Sequence, residues 1–303
     1  MKIFFSMLLV SLALYANEIT SSVVYSEVML IEDKVDVLLD YYKIEHQHKS
    51  EDKNVTYKTT QLKPRNVWQK TYEIMIKINV LREKFGLPFI EPVGMMPVEN
   101  VNPNLVYEQT QRILTELDIF MVQNAIKQPV LKKQVFKDKV PLDVFNRLCK
   151  VSFMLDQVTQ SKTMPSFSFG ETMRIYDDIT LILSNLGIDD KTIPQKKNEN
   201  DTPLESLNSG LKILEKIQQL KILAGMSSVD FSEFKKNEAS PSNVFEVTQM
   251  ILAELQAIKA RLGINAVTPA ALHYNNKIPA ETNQLMSWNL RKIDLIQSLN
   301  KGK

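Results

Sequence analysis

The sequence predicts an all-α protein made of tandem helical repeats of about 38 residues, arranged as two duplicated four-helix halves. Prolines recur at a nearly fixed step, apolar residues follow them at helical spacing, and the second half of the chain repeats the order of the first. Successive prolines lie 39, 38, 24, 38, 38 and 38 residues apart. A fixed period of this size is typical of helical repeat proteins. The prolines are Pro64, Pro103, Pro141, Pro165, Pro203, Pro241 and Pro279.

The segment 1–16 has the pattern of a secretory signal peptide. Met1 and Lys2 form a short basic start, and the segment 3–15 is apolar. This region is too short to cross a bilayer comfortably, which takes about 20 residues. We expect cleavage near Ala16 (or after Ala13) and a periplasmic or secreted location in a bacterium, with an uncleaved anchor as the alternative. No later segment is apolar enough for a transmembrane helix in the mature chain.

The first four-helix half is predicted to span 17–162. Its first helix begins near Ser21, which takes the place of a proline, and the others begin at Pro64, Pro103 and Pro141. Proline suits the first turn of a helix because its missing N–H would have no partner there and its φ is already helical. Apolar residues of the third helix recur at steps of three, four and seven, which places them on one face. They are Val106, Ile113, Leu114, Leu117, Phe120 and Met121.

The second half is predicted to span 163–303, with helices that begin at its four prolines. Thr202 and Ser240 are good N-caps, and Thr202 with Glu205 forms a capping box. The last three prolines of this half follow the three prolines of the first half at nearly equal separations along the chain. These equal separations indicate a duplication joined at about 161–165. The matching pairs are Pro64 with Pro203, Pro103 with Pro241, and Pro141 with Pro279.

The linkers indicate how the helices run. A linker of about 15 residues reaches up to about 50 Å, whereas a helix of about 22 residues spans about 33 Å. Most linkers are therefore long enough to return the chain to its starting end, so the helices of one half can run parallel. The short link 160–164 forces an antiparallel turn between the halves.

An aromatic residue follows four positions after five of the prolines, usually with a valine before it, whereas Leu207 and Asn283 take this place after Pro203 and Pro279. The recurrence of these aromatic residues and valines favours core packing over a ligand cage, since a specific site does not need the same residue in every repeat. Cys149 lies among apolar residues, and we expect a buried thiol without a disulfide partner. The recurring residues are Val67, Trp68, Val106, Tyr107, Val144, Phe145, Phe169, Val244 and Phe245.

No pattern of catalytic or metal-binding residues stands out. His46 and His48 could supply two ligands to a metal ion. A zinc site needs three or four, so we expect an ordinary surface loop here. Asp177 and Asp178 are adjacent on a helix and point in different directions, and Asp189-Asp190 is expected to cap a turn. There is no phosphate-binding glycine loop, nucleophile elbow or zinc-helix motif. We therefore expect no enzyme, no cofactor and no metal.

Charge and short motifs restrict the partners. The net charge is only +2, and the basic residues form no clustered excess, so we do not expect a nucleic acid as a partner. Met95 and Met96, in a proline-rich linker, are candidate partner contacts if they form an exposed apolar patch. Residues 52–56 resemble the extended acceptor sequon of bacterial oligosaccharyltransferases, which makes Asn54 a candidate glycosylation site.

These observations favour an exported, non-catalytic helical repeat protein that binds another cell-envelope protein, because stacked helices present large regular surfaces. The alternative is a periplasmic small-ligand-binding or sensory module with a pocket between the two halves. A third hypothesis, an enzyme of unfamiliar type, has no motif in its favour.

Overall fold

The computed structural model describes residues 18–44, 56–58, 60–128, 130–160 and 164–301. Within these ranges the chain forms eight α-helices, one short 3-10 helix at Ser232–Phe234 and no strand, so the all-α prediction is confirmed. The α-helices are α1 (Ser21–Tyr41), α2 (Pro64–Lys84), α3 (Pro103–Gln123), α4 (Pro141–Thr159), α5 (Met164–Asn185), α6 (Pro203–Leu223), α7 (Pro241–Arg261) and α8 (Pro279–Lys301).

The helices begin where the sequence predicts. Six of them start at a recurring proline, α1 starts at Ser21, and α5 starts one residue before Pro165. The side chains of Asn102 and Thr202 accept hydrogen bonds from backbone N–H groups of the first turn, at 2.9 and 3.2 Å. Glu205 accepts the Thr202 N–H at 2.7 Å, which completes the predicted capping box. The starts of α3 and α6 thus combine a fixed φ with a satisfied donor.

Six helices also end in the same way. A residue with positive φ follows each of them, and the next N–H bonds back to the carbonyl five residues earlier, at 2.8–3.0 Å. This closure satisfies carbonyls that the end of a helix leaves without partners. The residues with positive φ are Lys43, Gly86, Ala125, Gly187, Gly225 and Gly263.

Helices α1–α4, the first group, run parallel. Their first turns line one small cleft, which contains Ser21, Pro64, Pro103 and Pro141. Helix α1 contacts α3 and α4, and α2 contacts the same two helices, so the four form a closed ring around an apolar core. Parallel neighbours require each linker to return the full length of a helix, as the linker lengths predict.

Helices α5–α8, the second group, pack in the corresponding pattern. Helix α5 contacts α7 and α8, and α6 contacts the same two. Their first turns line a second cleft, with Pro165, Pro203, Pro241 and Pro279. The ends of all four helices therefore meet at the opposite end of this group.

The two groups contact each other through α2 and α7, which run antiparallel. Asn66 at the start of α2 hydrogen-bonds to Glu254 late in α7, and Lys70 pairs with Glu246 early in α7. Nearly every residue of α2 is buried as a result. Phe234, in the linker before α7, stacks on Tyr57 at a centroid distance of 4.2 Å and ties the second group to the first.

Candidate functional site

An apolar cavity of about 240 Å³ lies at the C-terminal end of the second group. All four helices contribute to it. Its floor is fully buried and its rim is partly exposed, so it opens to the surface at the rim. The floor consists of Ile182, Ile217, Leu255 and Ile293, and the rim includes Leu186, Leu220, Leu223, Ala224, Met226, Ile258, Leu262 and Ile296.

The corresponding end of the first group is filled by aromatic rings. Tyr42 and Phe85 stack at a centroid distance of 5.2 Å, and Phe85 meets Phe120 edge to face at 5.4 Å. Burial raises the pKa of Tyr42 to about 12, with a smaller contribution from Tyr41. The first group is therefore closed where the second group has a cavity.

Three smaller residues account for the difference. Ala224 stands at the same place relative to Pro203 as Phe85 does relative to Pro64. By the same comparison, Leu186 stands where Tyr42 does and Ile258 stands where Phe120 does. All three smaller residues line the cavity. The sequence signal for this site is the difference in residue size between the two halves at the ends of their helices, which the pattern at the helix starts does not contain.

The mouth of the cavity carries one charged side chain among the described residues that line it, Arg261. Its guanidinium donates to the Ala224 carbonyl at 3.3 Å and lies 3.5 Å from a carboxylate oxygen of Glu99. Half of the Arg261 side chain is exposed. Because the walls are aliphatic and this cation already has partners at the rim, the cavity is suited to holding an apolar group rather than to acid–base chemistry.

Ionisable side chains are instead buried between α2 and α7. Lys70 pairs with Glu73 at 2.9 Å and with Glu246 at 2.8 Å. Glu246 also accepts from the hydroxyl of Tyr57 at 2.8 Å and from the thiol of Cys149 at 3.2 Å. These charges are compensated by close partners, as burial requires. The predicted burial of Cys149 is confirmed.

The pKa shifts of Glu246 and Cys149 indicate a buried carboxylate that stays ionised and a buried thiol that stays protonated. Burial alone would raise the pKa of Glu246, but Lys70, together with hydrogen bonds from Tyr57 and Cys149, holds it below its usual range. Burial also raises the pKa of the Cys149 thiol well above its usual range, so the group stays protonated and is a poor nucleophile. The cluster stabilises the contact between the groups and offers no accessible reactive atom.

Two further buried clusters repeat this arrangement. Glu254 pairs with Lys221 and accepts from Asn66 at 3.0 Å. In the second group, Lys259 of α7 lies 2.7 Å from Asp178 of α5, whose carboxylate also accepts from Thr268. Asp177 is exposed while Asp178 is buried, so the two adjacent carboxylates point apart as predicted.

A shallower cleft of about 480 Å³ lies between the two groups, where the sequence hypothesis places a ligand pocket. Several of its walls are exposed, among them Phe89, Leu272 and His273. Its buried carboxylate, Glu171, is already engaged by Arg174 at 2.6 Å. This cleft is larger than the cavity of the second group and about equally open to the surface.

The structure changes the prediction for Met95 and Met96. Met95 is only 5% exposed and belongs to the apolar core, so its predicted place in an exposed patch is wrong. Met96 is 64% exposed. The two side chains differ because adjacent residues of an extended segment point to opposite sides. Asn54, His46, His48 and the signal segment 1–16 lie outside the described residues.

The remaining predictions concern turns and repeated aromatics. Asp190 accepts the Thr192 N–H at 2.9 Å after the end of α5, which is the predicted turn cap. Trp68, Phe145 and Phe245 are buried, as are the valines before them, whereas Tyr107 and Phe169 are half-buried at the edge of the core. Packing therefore explains the recurrence.

Within the ranges that the structure describes, no cluster of His, Cys, Asp or Glu could hold a metal ion. Over the same residues, none of the helices combines the length and apolarity that a membrane span needs. The chain matches no protein-family model, no curated protein and no solved structure. Function is therefore inferred from the geometry of the cavity and of the surface.

Proposed function

We propose that this chain is a non-catalytic binding protein that holds a small apolar molecule in the cavity at the end of α5–α8. The observation that carries the proposal is a partly open aliphatic cavity at an end whose counterpart is filled by three rings. Ligand sites are concave and mostly apolar. This is the small-ligand alternative from the sequence, with the site placed within the second group instead of between the halves.

The non-enzymatic part of the proposal is supported by the position of the buried ionisable groups. Lys70, Glu246 and Cys149 are enclosed between α2 and α4 of the first group and α7 of the second. An active site needs titratable groups within reach of a bound substrate. The walls of the cavity are aliphatic apart from Arg261.

We also propose that the chain arose by duplication of a four-helix unit, with halves at 17–162 and 163–303 built from repeats of about 38 residues. In each group the first and second helices both contact the third and the fourth, and this shared pattern supports a duplication. So do paired details: Asn79 accepts the Ile90 N–H as Gln218 accepts the Val229 N–H, at 2.9 and 2.8 Å. The ion pair of Arg82 with Glu116 likewise corresponds to the pair of Lys221 with Glu254.

Binding of another cell-envelope protein is the second candidate function. Phe89, Val93 and Met96 are exposed apolar side chains in the linker between α2 and α3, and such residues favour a partner contact. Export to the periplasm or out of the cell, after cleavage near Ala16, stays part of this proposal. Affinity capture from an envelope fraction, compared between the natural chain and a Phe89→Ser, Met96→Ser variant, tests it: equal capture by both would contradict it.

The ligand-binding proposal is tested by filling the cavity. Ala224→Phe places a ring where the first group has Phe85, so we expect the variant to lose at least tenfold in affinity for the neutral fluorescent probe naphthalene. The same variant should melt at a temperature equal to or higher than that of the natural chain, because the added ring buries apolar surface.

The matched control is Ala266→Phe, which adds the same ring at an exposed position of the linker after α7. We expect it to bind the probe like the natural protein. Probe binding that is unchanged by Ala224→Phe, or absent in the natural chain, would contradict the proposal.

A further inference from the structure

We infer that the cavity takes a rigid, neutral compound with a single ring or two fused rings, and this inference rests on the proposed ligand-binding function. It follows from what fills the corresponding end of the first group, from the size of the cavity, and from the charges around its mouth.

The first group shows what the common framework accommodates at this end. Tyr42 and Phe85 stack with an interplanar angle of 29°, and Phe120 closes the cluster edge-on at 75°. Offset-stacked and edge-to-face contacts are the favourable arrangements of aromatic rings. Three rings from α3 and from the turns after α1 and α2 thus cap the core of the first group.

The second group keeps this framework without the rings. Gly225 after α6 has a φ of +71°, and Gly86 after α2 has a φ of +68°. The closing bond from Met226 to Lys221 measures 2.8 Å, and its counterpart from Leu87 to Arg82 measures 2.9 Å. The backbone therefore ends alike, and the space freed at Ala224 is the space that a phenyl ring occupies in the first group.

The volume agrees with a small ring system. An engineered protein cavity of about 150 Å³ lined by aliphatic and aromatic residues stays dry and binds benzene. The present cavity, at about 240 Å³, is larger by roughly one further ring. Its floor, formed by buried isoleucine and leucine side chains of all four helices, limits its depth, so a long chain would extend past the rim.

The surroundings disfavour a charged ligand. The C-terminal ends of four parallel helices carry partial negative charge, which opposes an anion. Arg261, the cation at the rim, is already engaged by Glu99 and by the Ala224 carbonyl. A cationic ligand would lose its hydration against Ile182 and Ile293 and find no carboxylate among the lining residues that the structure describes.

Rigidity is favoured by entropy. A flexible chain loses internal freedom when it is confined, whereas a fused ring has little to lose, so preorganised ligands gain affinity at equal contact area. We therefore expect ring compounds to bind more tightly than alkyl chains of the same size.

The test measures dissociation constants of the natural protein for naphthalene, 1-nonanol, 2-naphthoate and 1-naphthylmethylammonium, each corrected for its water–octanol partitioning. Methyl NMR of the isoleucines locates the bound compound, with shifts expected at Ile182, Ile217 and Ile293. We expect naphthalene to bind about tenfold more tightly than 1-nonanol and about a hundredfold more tightly than either ion.

The outcomes separate the two proposals. If nothing binds, the proposed function itself fails. If 1-nonanol or an ion binds as tightly as naphthalene at the same isoleucines, the ligand-binding function stands and the inferred ligand class is wrong.

A second variant tests whether the ligand replaces the missing rings. Phe85→Ala removes the central ring of the first group, and we expect it to create a second binding site for naphthalene. Phe85→Leu takes its place if that variant does not fold. A folded variant that still binds at a single site would contradict the equivalence of the two ends.

Discussion

Glu246 shows at the level of a single side chain how the two groups are held together. Its carboxylate accepts from Lys70, Tyr57 and Cys149, all of which lie outside α7. An apolar residue in its place would leave the Lys70 amine with Glu73 as its remaining carboxylate partner. The contact between α2 and α7 therefore depends on matched charges as well as on apolar packing.

We predict that Glu246→Gln lowers the free energy of unfolding by about 1.5–3 kcal/mol, because Lys70 loses one of its two carboxylate partners and keeps Glu73. The measurement is urea unfolding at pH 7. The control, Glu199→Gln, removes a carboxylate that pairs with Lys197 and is mostly exposed, and its effect should stay below about 1 kcal/mol. Equal effects of the two variants would contradict this role of Glu246.

Acid should weaken the protein through the same residues. The pKa values of Glu246 and Glu254 are lowered in the folded chain, where Lys70 and Lys221 respectively are their nearest charged partners. A lowered pKa contributes stability that is present above the unfolded value, about 4.3, and is lost as pH falls through the folded value. We therefore expect the free energy of unfolding, measured in urea, to fall less steeply below about pH 4.5 in Glu246→Gln than in the natural chain.

The sequence predicts the apolar core residues better than it predicts these charges. Leu117 and Leu255 are buried as their helical spacing indicates. In an amphipathic helix, charged residues such as Lys70 and Glu254 are ordinarily expected on the solvent-facing side. They are buried because a second group covers them, and no local pattern contains that information.

At the scale of helices, the start of each element is specified locally and was therefore predictable. Proline fixes φ, a polar N-cap satisfies an N–H, and both features are visible in the sequence around Pro203. The cavity was not predicted. Leu186, Ala224 and Ile258 are common residues at the ends of helices, and each is notable only because the corresponding residue of the first group is aromatic. They leave a cavity because the ends of the four helices meet, and the sequence of a single helix does not show this.

We predict that Thr202→Ala destabilises the protein by about 1 kcal/mol, because the hydroxyl that accepts the Leu204 N–H and donates to Glu205 is lost, while the Thr202 N–H keeps its bond to Glu205. Thermal unfolding monitored by circular dichroism measures the change. Val140, the N-cap of α4, makes no side-chain hydrogen bond, so Val140→Ala is the matched control. A loss for Thr202→Ala no larger than for the control would show that the cap contributes little.

For the whole molecule, the buried contact between α2 and α7 implies that the two groups unfold together. The chain has two tryptophans, Trp68 in α2 and Trp288 in α8, one in each group. Trp68→Phe and Trp288→Phe leave one reporter each. We expect the fluorescence transition in urea to coincide with the circular dichroism transition in both variants, as in a two-state process.

Separate midpoints for the two reporters would show that the groups are independent domains. Trp288 donates its indole N–H to Thr192 at 2.9 Å, so Trp288→Phe also loses a hydrogen bond. Each variant is for that reason compared with its own circular dichroism curve rather than with the natural chain.

Parallel helices have a consequence for how quickly this chain acquires its structure. Partners such as α1 and α3, or α2 and α4, lie far apart along the sequence, whereas an up-and-down bundle brings together segments that follow one another directly. Folding rates fall as the average sequence separation of contacts rises, because loops must close before their contacts form. This helical protein should consequently refold on the slower timescale that is usual for β-sandwiches, and its half-formed states would expose apolar helix faces to aggregation and to chaperones in the meantime.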